Sequence, residues 1–415
     1  MGEISEAPAL QRRLSFTMVV LYGLGTTIGA GIYVLIGKVV GNAGLFAPVS
    51  FVVATVLAGF SVFSFAELSS RFPLSAGEAI YVSKGLRSSH LAIGVGFCVV
   101  FAGIVSSAAI SRGFVGYLQE FFNPTGWVAV ACLVLTLGAI AFWGIGQSIL
   151  IAGAATIIEI CGLLLVILAG AGSLESLPTM LPSLTPPFEL SAWSGIIAGA
   201  VLAFYAFLGF EDMVNVAEEV RDVRRTLPRA LIATLGITAI FYILLTLVAV
   251  LSLPVEELSA SNAPLSLLFE RSTGKSSSII SMIALIAVLN GALVQIIMAS
   301  RVLYGMSKRK WIPAAFGGVH PKTHTPYVAT ICVTGAVLVF ALWLPLETLA
   351  ETTSYLTLAI FALVNLSLWR IKATEAGVRQ IESEPTIRYP IWVPAIGFVG
   401  SVGFLCLRAL GVTNT

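Results

Sequence analysis

YGLGTTIGAGIYVLIG, residues 22–37, is apolar enough to lie in a membrane, yet five of its sixteen residues are glycine. Two threonines, Thr26 and Thr27, precede a Gly29-Ala30-Gly31 run. Glycine is a poor helix former, and its position at mid-depth predicts an interrupted helix. Unwinding in hydrocarbon strands backbone N–H and C=O groups at a cost of several kcal/mol each. That is tolerable only where the main chain faces a polar cavity or a ligand. The competing explanation is close helix packing, because Gly25-x-x-x-Gly29 is also a helix-association spacing.

Working outward, the whole chain has the composition of a membrane protein. Its 415 residues are 57% hydrophobic and 11% charged. The apolar residues fall into runs of roughly 17–25, enough to cross a bilayer. Eleven spans are predicted, near 16–39, 46–69, 91–117, 127–143, 149–171, 193–216, 231–253, 279–304, 327–343, 348–368 and 391–409. With the N-terminus inside, roughly 18 of the 23 Lys and Arg residues fall on inner segments, Arg379 among them. The remaining five are Lys38, Arg112, Arg271, Lys275 and Arg408. The expected location is the cytoplasmic (inner) membrane. The N-terminal stretch lacks the small-residue cleavage site of a signal peptide.

The net charge of +2, spread over separate loops, points to no nucleic-acid partner. Five unpaired cysteines, one per span, predict neither a disulfide framework nor a metal site. No cofactor is expected, and a monomer is the expected assembly. The Pro- and Ser-rich outer segment 172–192 divides the chain into two five-span halves, 16–171 and 193–369. Segment 1–15 precedes them, and an inner loop with a terminal span, 370–415, follows.

A second interruption lies in span 6, at Phe204-Tyr205-Ala206-Phe207-Leu208-Gly209-Phe210-Glu211-Asp212. Matched interruptions in the first span of each half point to a transporter binding site at the bilayer midplane. A half-helix starting near Gly29 aims N–H groups at a carboxylate. A half-helix ending near Thr27 offers carbonyls to an ammonium group. An α-amino acid carries both groups on one carbon.

Charges inside spans need a reason. Glu159 lies mid-span with no neighbouring base, as either a proton carrier or a permanently protonated structural carboxyl. Glu211 and Asp212 follow the second break; Glu211, the nearer, is the second proton candidate, although acids also simply suit a helix N-terminus. Arg112 is either the buried counter-charge for one of these carboxylates or a residue reaching the outer interface. Asn290 and Gln295 are five positions apart and do not share a face closely. Ser106 and Ser107 either line the pocket or bond within their own helix. Segment 67–86 reads as an inner gating element, and 217–230 as a solvated charged turn.

The stretches TTIGAGIY, AELSSRFPLSAGEAIYV, FYAFLGFEDMVNVAEEVRDVRRTLPRA and MASRVLYGMSKRKWIP resemble signatures of the amino acid–polyamine–organocation superfamily. They are closest to its bacterial amino acid permeases and are similar to cationic amino acid transporters. The resemblance implies an all-α, five-plus-five inverted-repeat fold with helices 1 and 6 broken. It implies that Thr27, Ile28, Gly29, Ala30 and Gly31 hold the substrate carboxylate through their backbone. Carbonyls around Phe204, Ala206, Phe207 and Leu208 would receive the amine, and Tyr205 would cover the substrate. Aligning on Gly116-Tyr117-Leu118 brings Ala102, Gly103 and Ser107 to the substrate side chain. Aligning on Trp311-Ile312-Pro313 adds Gln295 and leaves Asn290 outside.

Glu159 stands where proton-driven relatives carry lysine and sodium-driven ones hold sodium, so a proton is expected with sodium as the alternative. The resemblance implies a twelfth span, which the eleven predicted here do not include. Expected, then, is a proton-coupled amino acid symporter, with an exchanger or a membrane receptor as alternatives, and no enzyme. Neutral and cationic substrates are equally open.

Overall fold

A computed structural model of the chain describes residues 10–118, 125–261, 263–343, 346–375 and 387–409. Of the positions named above, Arg379 and the side chains of Ala30, Tyr117 and Arg408 lie outside that description. The described chain is helical: α1 Phe16–Thr27, α2 Ala30–Ala43, α3 Ala47–Arg71, α4 Gly77–Leu86, α5 Ser89–Leu118, α6 Gly126–Trp143, α7 Ile145–Ala169 and α8 Leu177–Leu184. There follow α9 Leu190–Ala206, α10 Val223–Ser252, α11 Val255–Ala260, α12 Pro264–Thr273, α13 Ser278–Lys308, α14 Tyr327–Trp343, α15 Leu346–Glu375 and α16 Trp392–Ala409. Nine described segments are long and apolar enough to span a membrane, and Tyr327–Trp343 and Trp392–Leu407 are shorter apolar helices. Each of the eleven predicted spans meets one of them.

Both interruptions are present. α1 ends at Thr27, Ile28 and Gly29 form a bend, and α2 restarts at Ala30. α9 ends at Ala206, the chain turns through 207–209, and it continues as a 3-10 helix, Phe210–Glu219. This second rod differs from the expected α half-helix. At about 2.0 Å rise per residue instead of 1.5 Å, a 3-10 helix reaches further for the same number of residues.

Around these rods, α3 packs along α10 and α5 along α13. Close approach explains part of the glycine content of the opening stretch. A Cβ on Gly25 would lie 2.5 Å from Asn290 Nδ2 on α13 and would also strike Thr156 on α7. Gly25 is therefore a packing glycine, whereas Gly29 sits in the break itself.

The basic end of the bundle is held by charge pairs. Fully buried Glu67 pairs with Arg71 (2.6 Å) and Lys372 (2.7 Å), and accepts from the Tyr389 amide (2.9 Å). Arg71 also pairs with Glu375. Arg301 Nε lies 3.3 Å from Glu219 Oε2, with both side chains wholly buried. Glu219 therefore corrects the reading of 217–230 as a solvated turn: it is interior, and α10 begins within that segment at Val223. The early chain is stitched to the same place. Leu14 N donates to Glu219 O and Arg221 N to Leu14 O, each at 2.9 Å.

Candidate functional site

The two breaks lie against each other and enclose a cavity of about 340 Å³, of the size that takes a small molecule. Gly209 makes the approach possible. Its φ is +121°, and a Cβ there would stand 2.7 Å from Thr26 O. The opposing ends are tied by Tyr242 of α10, whose phenol lies 2.6 Å from Thr27 O and 3.0 Å from Ala206 O. These are the last carbonyls of α1 and α9. The hydroxyls of Thr26 and Thr27 both turn back to Gly23 O at 2.8 Å. No side chain caps the start of α2. Its first amides lack intrahelical partners by the geometry of any helix start, and Gly29 and Gly31 line the cavity.

Of the residues singled out from sequence, Thr27, Gly29, Gly31, Ala102, Gly103, Tyr205, Ala206, Leu208, Glu211 and Gln295 line this cavity. Others do not. Ile28 is fully buried away from it. Phe204 packs edge-on against Phe361 and Phe404, and Phe207 against Phe51. The Phe204 carbonyl is already taken by the Phe207 amide at 3.0 Å, and that of Ala206 by Tyr242. Ser107 departs from the side-chain role given to it: its hydroxyl donates to Ala292 O of α13 at 3.1 Å. Its neighbour Ser106 lines the cavity instead. One step along a helix is 100°, enough to exchange those faces.

Glu159 lies off the cavity. Its Oε1 accepts from Asn290 Nδ2 at 2.9 Å, and the same nitrogen reaches Thr156 Oγ1 at 3.0 Å. Glu159 Oε2 has no hydrogen-bond partner. Glu211 Oε2 accepts from the Gly209 amide at 2.7 Å, capping the turn of the break. Asp212 Oδ2 accepts from Gln295 Nε2 at 2.7 Å.

Sequence reasoning missed Glu78 and Tyr242 and passed over Asp212. Glu78 lines the cavity and is joined to Asn215 at 3.1 Å, across 137 positions of chain. A signal was present in the sequence for both. Glu78 stands among apolar neighbours, Ala79, Ile80, Tyr81 and Val82, within the segment read as a gating element, and Tyr242 puts a polar tip in the middle of a span. Only their partners were hidden. Replacing Tyr242 with phenylalanine should remove the one hydrogen that two buried carbonyls share, at roughly 1–3 kcal/mol. The expected result is a lower unfolding temperature in detergent and weaker ligand binding. An unchanged melting curve would mean the clamp contributes nothing.

A family model described as "Amino acid permease" matches residues 14–414. The chain is 27% identical over 383 residues to the branched-chain amino acid permease BcaP of Bacillus subtilis (strain 168), covering 87% of this chain and 81% of that one. It is 30% identical over 378 residues to the vacuolar cationic amino acid transporter 4 of Arabidopsis thaliana, covering 86% of this chain and 62% of that relative's length. Among solved structures, MhsT in complex with L-phenylalanine matches with a TM-score of 0.64 at 14% identity, over 97% of this chain and 99% of that one. That likeness is one of fold: a helical inverted-repeat transporter architecture.

Proposed function

From the premise that this chain belongs to the amino acid permease family, we propose that it carries an α-amino acid across the cytoplasmic membrane by alternating access, in symport with protons. The supporting observation is the cavity at the two facing breaks, where the start of α2 and the ends of α1 and α9 meet. A helix start favours a carboxylate, and helix ends favour an ammonium group. Gly29 and Gly31 bring the first to the cavity, and Thr27 and Ala206, whose carbonyls share the single Tyr242 hydroxyl hydrogen and keep acceptor capacity, bring the second. Tyr205, Ala102, Gly103 and Gln295 surround the remainder of the substrate.

The halves 16–171 and 193–369, joined through 172–192, interlace and act together as one transporting monomer. The basic end, with Arg71, Arg301 and Lys372, faces the cytoplasm, as does the N-terminus. No enzymatic step is assigned. Proton coupling is placed on Glu159, whose Oε2 is unpartnered and whose Oε1 is held by Asn290. A carboxyl buried at membrane depth is stable neutral and costly charged. Gain and loss of a proton there would alter its bond to Asn290, and through Gly25 the packing of α1.

Proteoliposomes holding the purified protein test this. An inward pH gradient should concentrate a labelled amino acid, and a protonophore should abolish the concentration. Glu159→Gln should remove accumulation while retaining the ligand-induced rise in unfolding temperature. Uptake seen only into vesicles preloaded with amino acid would identify an exchanger. Undiminished accumulation in Glu159→Gln would remove that residue from the coupling.

A further inference from the structure

Three carboxylates line the cavity, those of Glu78, Glu211 and Asp212, and no Lys, Arg or His is found among the described lining residues. Neither buried arginine described lines the cavity: Arg71 pairs with Glu67 and Glu375, and Arg301 bonds Glu219 and Ser300 and keeps its Nη2 unpartnered. Each of the three acids has one oxygen held by a neutral donor: the Gly209 amide, Gln295 or Asn215. Glu78 is the most telling. It is 1% exposed, and its Oε2 has no hydrogen-bond partner. A buried carboxylate needs a counter-charge or a proton.

A zwitterionic substrate brings no net charge to this imbalance. Its ammonium group is met at the helix ends beside Glu211, which leaves Glu78 and Asp212 unanswered. The lining also includes the apolar side chains of Val99, Ile110, Val288 and Met298, the last one turn from the Gln295 that bonds Asp212. Apolar lining beside a pair of acids matches a side chain with a methylene stem and a cationic tip. Building on the transport reading above, we propose that Glu78 and Asp212 form a subsite for the side-chain ammonium or guanidinium of a dibasic α-amino acid. Met298 and Val99 pack the stem.

The test uses the full chain purified in detergent and neutral ligands of matched shape. Arginine is compared with citrulline, and lysine with norleucine, by calorimetric titration. Arginine should bind at least about tenfold more tightly than citrulline, as expected of a charge-assisted contact. Glu78→Gln should bring that ratio to about threefold or less. Asp212→Asn serves as the second variant should Glu78→Gln fail to fold. Equal affinity for arginine and citrulline in the unaltered protein would overturn the subsite. So would variants that weaken both ligands by the same factor. Either result leaves the transport reading standing, whereas failure of every α-amino acid to bind would remove that reading first.

Discussion

Replacing Gly209 with alanine should abolish substrate binding and destabilise the fold. At φ +121°, an alanine would carry strain of about 1–3 kcal/mol. The new Cβ would also lie 2.7 Å from Thr26 O and 2.8 Å from Thr26 C. Those are backbone atoms of the opposite break, with no flexible side-chain end to yield. The two interrupted rods must separate, and the opposed helix ends then cease to share one cavity. Ligand affinity should fall by at least about tenfold, equivalent to about 1.4 kcal/mol, and the unfolding temperature should drop. Gly236→Ala is the control: it lies inside α10 with nothing within 4 Å of a Cβ, and should be neutral or stabilising. Normal affinity in Gly209→Ala would show that the contact with Thr26 does not shape the site.

Arg301→Met should be the most destabilising single change at the basic end. It leaves Glu219 wholly buried without its cation, at about 3–5 kcal/mol. Replacing Glu219 with leucine as well should recover most of the loss, because a buried ion pair exchanged for apolar groups is often near neutral. Thermal unfolding of the two variants in detergent distinguishes the outcomes. A single-variant loss below about 1 kcal/mol would place the pair in a solvated setting.

The eleven spans were legible because hydrocarbon thickness sets helix length and apolar runs meet it directly. The first break was legible because a matching interruption in span 6 outweighed the packing use of the same glycines, a use that Gly25 does serve. The shape of the second rod was not. In Phe210–Glu219 every residue but Glu218 is buried, acids included. Its interior polar groups meet partners far away in sequence: Gln295 for Asp212, Glu78 for Asn215 and Arg301 for Glu219. Local pattern reads such a stretch as a polar turn, because four acids in ten residues belong in water unless something distant receives them. Ser107 was misplaced for a smaller reason, a rotation of one residue that sequence periodicity does not resolve in a helix apolar on all sides. Phe204 and Phe207 stay out of the cavity because their rings go to aromatic neighbours that no motif announces.

Tyr242 has one further consequence. A phenol owns a single hydrogen, and here two acceptors compete for it, at 2.6 Å on Thr27 and 3.0 Å on Ala206. The nearer oxygen takes the larger share. A slight tilt of either rod would hand the hydrogen to the other acceptor with no interval in which it goes unused. Such a relay would always hold one rod end while letting the other go, so the exchange itself would cost little enthalpy.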